Sequence, residues 1–485
     1  MVRILPVLHI LSHVIAILGA FMALPLGVSV VLDDGAAGAY DQAILVTGLA
    51  GVGLWAATRR HKRELQTRDG FLLVSLVWTV LPAFAMLPLL LYIPGLSVTD
   101  AYFETVSGLT TSGGTVLTGL DGLPASINIW RALLVWLGGM GIIVLAVAIL
   151  PLLGVGGSQV FKAETPGPMK DNKLTPRMTQ TAKGLWLVYL LITIACILAL
   201  KVAGMNWVDA VVHAFSTMGL GGFSSHDDSY GYFNSPAIEG VTIVFMLMAG
   251  VNFATHFQVI RGAGIRTYRR DPEADLFLMV LGGSVLGIAL FLLAHGVYPD
   301  FQTALRFSAF NVVSVATTTG FANTDFNLWP VFAPVWMLFL SCFCTCSGST
   351  GGGIKMIRAR LMFHQALREM TRIVHPRALV PVKLSGQPVE NNIIFAVLAF
   401  MLMYGGTITI ATMLLSATGL DIVTAFSATV ACINNMGPGL NQVGPATTYA
   451  SLSDFQTWVC TAVMLLGRLE LFTLIVVFTP SFWRR

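Results

Sequence analysis

The chain has 485 residues, 55% of them hydrophobic and only 11% charged, with a mean hydropathy of +0.77 and a formal net charge of +4. Soluble domains carry roughly a quarter of their residues as charges, so this composition excludes a soluble protein and places the chain in lipid. No charge-rich or Pro/Ser-rich block is long enough to form a separate soluble domain, which leaves one all-α integral membrane domain.

Apolar runs of about 20 residues recur from end to end and predict roughly ten spanning helices. In chain order they fall near 5–31, 41–58, 70–93, 128–155, 184–204, 237–260, 274–296, 330–370 (interrupted), 391–417 and 454–481. The first run follows a single Arg3 and is too long for a signal-peptide core, so it is read as a helix. With the N-terminus in the cytoplasm, 23 of the 28 Lys and Arg fall on cytoplasmic connections; Arg131, Lys201 and Arg306 lie outside, and Lys355 and Arg468 lie within helices. The positive-inside rule therefore puts both termini in the cytoplasm. Fourteen carboxylates fall on the outer side, among them Asp33, Asp34, Asp100, Glu104, Asp209, Asp227, Asp228, Asp300, Asp325 and Asp421. Either a mouth that concentrates cations or an ordinary solvated face would look like this. Cys196, Cys342, Cys344, Cys346, Cys432 and Cys460 sit in or beside apolar segments and read as packing residues rather than as a disulfide framework or a metal site.

Between spanning helices lie four shorter apolar segments, each running into a loop that ends on glycine: 100–114 (DAYFETVSGLTTSGG), 209–223 (DAVVHAFSTMGLGGF), 307–321 (FSAFNVVSVATTTGF) and 424–438 (TAFSATVACINNMGP). They align without gaps, bringing Gly113, Gly222, Gly320 and Gly437 into register, and each is followed by a glycine in the next helix: Gly139, Gly250, Gly348 and Gly467. The expected organisation is a two-helix extension (1–68) and four tandem helix, re-entrant loop, helix repeats (69–183, 184–270, 271–390 and 391–485) around a central pore. Non-helical backbone at membrane depth is tolerated only where it lines a watery cavity or is buried in protein. A short helix aimed at the pore would present its carbonyl end to a cation. The loops read Thr110-Thr111-Ser112-Gly113, Gly219-Leu220-Gly221-Gly222, Thr317-Thr318-Thr319-Gly320 and Asn434-Asn435-Met436-Gly437, with no side-chain chemistry in common. What they share is backbone, which points to coordination by rings of carbonyl oxygens that replace an ion's hydration shell.

In the third repeat, Ser347-Gly348-Ser349-Thr350-Gly351-Gly352-Gly353 interrupts the helix, since each interior glycine costs about 1 kcal/mol relative to alanine. A rigid packing kink is the plain alternative. The segment fits G-x-x-x-x-G, but Ile354-Lys355 follows and no strand precedes it, so it is not read as a nucleotide site. Arg468 lies in the middle of the last apolar run, where an isolated charge is expensive and faces a partner or water. Repeat alignment sets it beside the 347–353 loop, as a tether to loop carbonyls and a cationic barrier; a salt bridge with Glu470 is the alternative.

These motifs carry a resemblance. TTSGG (110–114), GLGGFSSHD (219–227), ATTTGF (316–321), GSTGGGIK (348–355), NNMGPG (434–439) and GRLELF (467–472) resemble bacterial potassium-uptake proteins of the TrkH/TrkG type, in the superfamily that also holds KtrB and plant HKT transporters. The resemblance spans the chain, and the two-helix extension is similar to TrkH rather than KtrB. The first loop has Thr-Thr-Ser-Gly where Thr-Thr-Thr-Gly is the commoner form. Resemblance implies potassium as the substrate ion, a multi-pass protein of the bacterial inner membrane, an intramembrane loop at 347–353 that obstructs the pore and moves to open it, and a homodimer. It also implies a cytoplasmic ring of TrkA-type nucleotide-binding subunits, with no nucleotide bound by this chain. Basic stretches at 358–377 and 162–183 are candidate docking segments for that ring, or ordinary cytoplasmic loops. A sodium- or proton-coupled symporter on the same scaffold is the alternative mechanism. The parallel repeats argue against an inverted-repeat carrier. A membrane enzyme would need convergent catalytic groups, and His213 and His226, the nearest candidates, read as polar supports of the loop and mouth.

Overall fold

The computed structural model describes residues 4–61, 65–141, 178–271, 273–384 and 386–484. Among them the protein is helical apart from a two-residue β-ladder pairing Lys383–Leu384 with Gln387–Pro388. Five single helices are long and apolar enough to cross a membrane: Ile4–Leu32, Arg68–Tyr92, Ala182–Val202, Ala274–Ala294 and Asn391–Ala417. Two more candidates are bent pairs: Pro236–Gly250 with Phe253–Ala263, at 95°, and Asp454–Arg468 with Phe472–Phe478, at 105°. The helices expected over 237–260 and 454–481 are thus sharply broken. The helix expected over 128–155 runs Ala125–Gly139, and residues 142–155, like most of the 162–183 linker, lie outside the described residues.

Four short helices, Val98–Leu109, Trp207–Gly219, Phe301–Ala316 and Ile422–Ile433, are the pore helices of four repeats. Each begins on a side chain that accepts a backbone N–H in its first turn: Ser97 from Asp100, Asn206 from Asp209, Asp300 from Thr303 and Asp421 from Thr424. Such caps satisfy N–H groups that a helix start leaves unpaired. The helix that follows each pore helix ends at Gly139, Gly250, Phe343 and Arg468 respectively. The two-helix extension docks on the first repeat, where Asp34 accepts Ser126 N–H at 2.9 Å and Tyr40 Oη donates to Ser126 O at 2.9 Å.

Candidate functional site

All four pore helices end in the same way. The residue at the second loop position has φ in the left-handed region: Thr111 58°, Leu220 55°, Thr318 60° and Asn435 53°. Its N–H bonds three residues back, to Gly108, Thr217, Val315 and Cys432, at 2.9–3.1 Å. The next N–H bonds five back, to Ser107, Ser216, Ser314 and Ala431, at 2.8–3.0 Å. This is a Schellman cap, whose left-handed place usually holds glycine. Here glycine stands two residues later, at Gly113, Gly222, Gly320 and Gly437, with φ of 76°, 59°, 87° and 94°. The sign of φ therefore alternates through each tetrapeptide, which turns successive carbonyls toward one side.

The four tetrapeptides close into a ring. A Cβ on Gly113 would collide with Gly221 O, one on Gly222 with Thr319 O, one on Gly320 with Met436 O, and one on Gly437 would stand 2.7 Å from Ser112 O. Each loop is thus backed by the next, and the fourth returns to the first. Several polar side chains of the loops fasten the ring. Asn435 Nδ2 donates to Ser112 Oγ at 2.9 Å and Met464 O at 3.0 Å, and Asn434 joins Tyr404 Oη at 2.6 Å and Ser341 Oγ at 3.0 Å. Thr110 and Ser112 share a hydroxyl contact of 2.9 Å, repeated by Thr317 and Thr319 at 2.8 Å. Gly113, Gly222, Gly320 and Pro438 line one cavity above the ring, with His226 and Asp227 on its wall.

Beneath the ring lies the third-repeat interruption, which spans Cys344–Lys355 rather than 347–353 alone. Gly351 and Gly352 sit against the ring floor: a Cβ on Gly352 would collide with Asn434 O, and one on Gly351 would lie 3.1 Å from Thr317 O. Gly352 N–H donates to Thr318 Oγ1 at 2.9 Å, and Thr350 Oγ1 to Met218 O at 2.9 Å. Ser347 and Gly348 border the break in the second repeat, where Phe253 N–H donates to Gly348 O at 3.0 Å. Ser349 Oγ turns back to Cys346 O at 2.6 Å, and Gly353 takes φ 80° ahead of Lys355, whose Nζ donates to Gly351 O at 2.5 Å. Arg468 reaches the same place. Its Nη1 donates to Thr350 O at 3.0 Å and Thr111 Oγ1 at 3.2 Å, and its Nη2 to Gly138 O and, at 3.1 Å, Gly139 O. Glu470, offered above as its partner, pairs with Arg358 at 2.6 Å.

Several residues took places the sequence did not signal. Glu104 and Arg131, assigned outward from charge counting, form a buried ion pair of 2.7 Å, each 1% exposed. Asp209 is also buried, and His226 lies between it and Asp121, so His226 does have acid partners. Glu273 carries no signal in the sequence, yet its buried carboxylate accepts Ser347 N–H, inside the interruption, at 3.0 Å and Ile357 N–H, in the helix that follows it, at 2.8 Å. In the glycine series, Gly138 rather than Gly139 matches Gly467, since a Cβ on either would collide with the last pore-helix carbonyl, Leu109 O or Ile433 O. The basic stretch at 358–377 is not uniformly available for docking, because Arg358 is buried against Glu470 and lies over the Phe400 ring at 4.2 Å.

A family profile for TrkH, described as a cation transport protein, matches residues 39–485. The Trk system potassium uptake protein TrkH of Salmonella typhimurium is 46% identical over 477 residues, covering 98% of each chain. That of Escherichia coli K12 is 45% identical over 477 residues, with the same coverage. The crystal structure of the potassium transporter TrkH from Vibrio parahaemolyticus is similar over 100% of both chains, with a TM-score of 0.90 and 43% identity.

Proposed function

This chain belongs to the TrkH family of cation transport proteins, and from that premise we propose that it carries potassium into the cell across the bacterial cytoplasmic membrane, through a filter made of residues 110–113, 219–222, 317–320 and 434–437. The observation that carries this reading is the closed ring of four backbones, each with the same alternation of φ and each backed by the carbonyl of the next. Such a ring offers carbonyl oxygens in place of an ion's hydration shell, and selection follows from their number, dipole strength and spacing. Pore-helix carbonyl ends aimed inward add a field that favours a cation.

The interruption at 347–353 is the gate in this reading. It fills the space under the filter floor, and Arg468 both tethers it at Thr350 and sets a positive charge beside the path. Opening requires the loop to leave, and its glycines supply the backbone freedom. Resemblance to the family supports a homodimer seated on a TrkA-type cytoplasmic nucleotide-binding ring that drives this motion, with potassium as cargo and lipid as surroundings.

The test is ion flux into liposomes holding the purified protein, comparing potassium, rubidium, caesium, sodium and lithium for the parent and Gly113→Ser. The expected result is passage of the larger ions with little sodium or lithium, and loss of that preference in the variant, whose Cβ would displace Gly221 O. Equal passage of all five ions by the parent overturns the filter reading.

A further inference from the structure

The ring is also held from outside, by a strut that recurs with changing chemistry. Nine residues before each loop glycine the four pore helices carry Glu104, His213, Asn311 and Ala428. The three polar side chains are buried, and each reaches the strand leaving its own loop. Glu104 accepts from Thr115 Oγ1 at 2.9 and 3.0 Å and from Val116 N–H at 3.0 Å. His213 Nδ1 lies 2.8 Å from Asp209 O, and its Nε2 lies 2.9 Å from Ser224 Oγ. A carbonyl only accepts, so Nδ1 carries the proton and Nε2 takes the Ser224 hydroxyl hydrogen. Asn311 Nδ2 donates to Asn323 Oδ1 at 2.6 Å. In the fourth repeat the neighbouring Ser427 does the work, accepting Leu440 N–H at 2.9 Å.

The first strut differs in kind, because Glu104 is charged and paired. Arg131 Nε donates to Glu104 Oε1 at 2.8 Å, and the same guanidinium donates to Asn128 Oδ1 at 3.2 Å, Thr115 Oγ1 at 3.2 Å and Ser224 O at 3.1 Å. It also covers the Phe223 ring, 4.3 Å from its centroid. One buried cation therefore joins the strand leaving loop one to the strand leaving loop two, and Ser224 is held at once by Arg131 through its carbonyl and by His213 through its hydroxyl. Desolvation offsets most of what such a pair contributes to stability, and an apolar pair of similar volume would fold the protein as well. What an apolar pair would lose is the directional link between the two strands.

We propose that Glu104 and Arg131 are positioning residues for ion selection, fixing the spacing of loops one and two so that their carbonyls match potassium. The proposal rests on the carbonyl-filter reading above. Its test measures the rubidium-to-sodium flux ratio and thermal stability of Glu104→Gln, of Glu104→Gln with Arg131→Met, and of Thr115→Val, all in liposomes. Glu104→Gln, which leaves Arg131 buried without its counter-charge, is expected to lose both stability and ratio. The double variant is expected to recover stability while its ratio stays about tenfold below the parent, equivalent to roughly 1.4 kcal/mol of discrimination. Thr115→Val keeps the pair, removes one hydroxyl, and should lower the ratio by a smaller factor. A parental ratio in whichever of these variants fold, the milder Thr115→Val included, overturns the proposal. If Gly113→Ser also leaves the ratio unchanged, the filter reading itself has failed.

Discussion

Replacing Arg468 by alanine removes the tether between the interruption and the first repeat. The guanidinium holds Thr350 O at 3.0 Å on one side and Gly138 O and Gly139 O on the other. When the loop leaves the filter floor it must break this bond to Thr350 O, together with those of Gly352 N–H to Thr318 and of Thr350 Oγ1 to Met218. A hydrogen bond from a charged donor contributes about 1.5–3 kcal/mol, so its loss should shift the balance between seated and displaced loop by about tenfold to a hundredfold. Initial rubidium uptake into liposomes of equal protein content should rise accordingly, with the order of ion preference retained, because the filter carbonyls are untouched. Arg468→Lys separates tether from barrier. Lysine keeps the charge but lacks the planar fork that spans both sets of carbonyls, so its flux should fall between parent and alanine. Parental flux in Arg468→Ala would refute the reasoning. Parental flux in the lysine variant beside fast flux in the alanine variant would assign the effect to charge alone.

Two further outcomes follow from residues that brace the site. Glu273→Ala leaves the Ser347 and Ile357 N–H groups without their carboxylate, at a cost of about 1–3 kcal/mol for each buried group. Faster amide exchange over 347–357 and a raised basal rubidium flux are expected, and parental exchange would show that the clasp does not hold the loop. At the mouth, burial alone would lower the pKa of His226, but hydrogen bonds to Asp209 and Asp121 raise it. Burial would raise the Asp121 value, but its bond to His226 lowers it. A raised imidazole value gives stabilisation that is complete below the free value of about 6.5 and lost as pH rises through the raised one; a lowered carboxylate value gives stabilisation lost only in acid, below about 3.9. Thermal stability should therefore decline as pH rises above about 6.5, and His226→Gln should flatten that limb. An unchanged slope in the variant would show that the imidazole is not its source.

The repeats were legible because each loop ends in glycine at a fixed distance from an apolar segment, a signal written in neighbouring residues. The left-handed second position was not legible, since Thr111, Leu220 and Thr318 are residue types that disfavour positive φ and only Asn435 tolerates it readily. The breaks in the second helices were only half visible. Glycines marked their level, but the apolar run continues past Gly250 and Arg468, and hydropathy does not report a bend of 95° or 105°. By composition Cys344 to Cys346 extend an apolar helix, so the sequence places the interruption at 347–353, whereas the helix ends at Phe343. Glu104, Arg131 and Glu273 were hidden for a different reason. Their partners lie far along the sequence, and charge counting assigns each to whichever side its connection faces, without regard to burial.

The four-sided ring is drawn from one chain, and this changes what a single substitution does. In a symmetric tetramer every replacement enters four times, so a side chain that strains one quarter strains them all and is rejected at once. Here each quarter drifts on its own. Thr, Leu, Thr and Asn share one backbone conformation at the second position, and Glu, His, Asn and Ala share one place behind it. Ion preference in such a protein can be adjusted a quarter at a time, with three intact sides keeping the fourth in line.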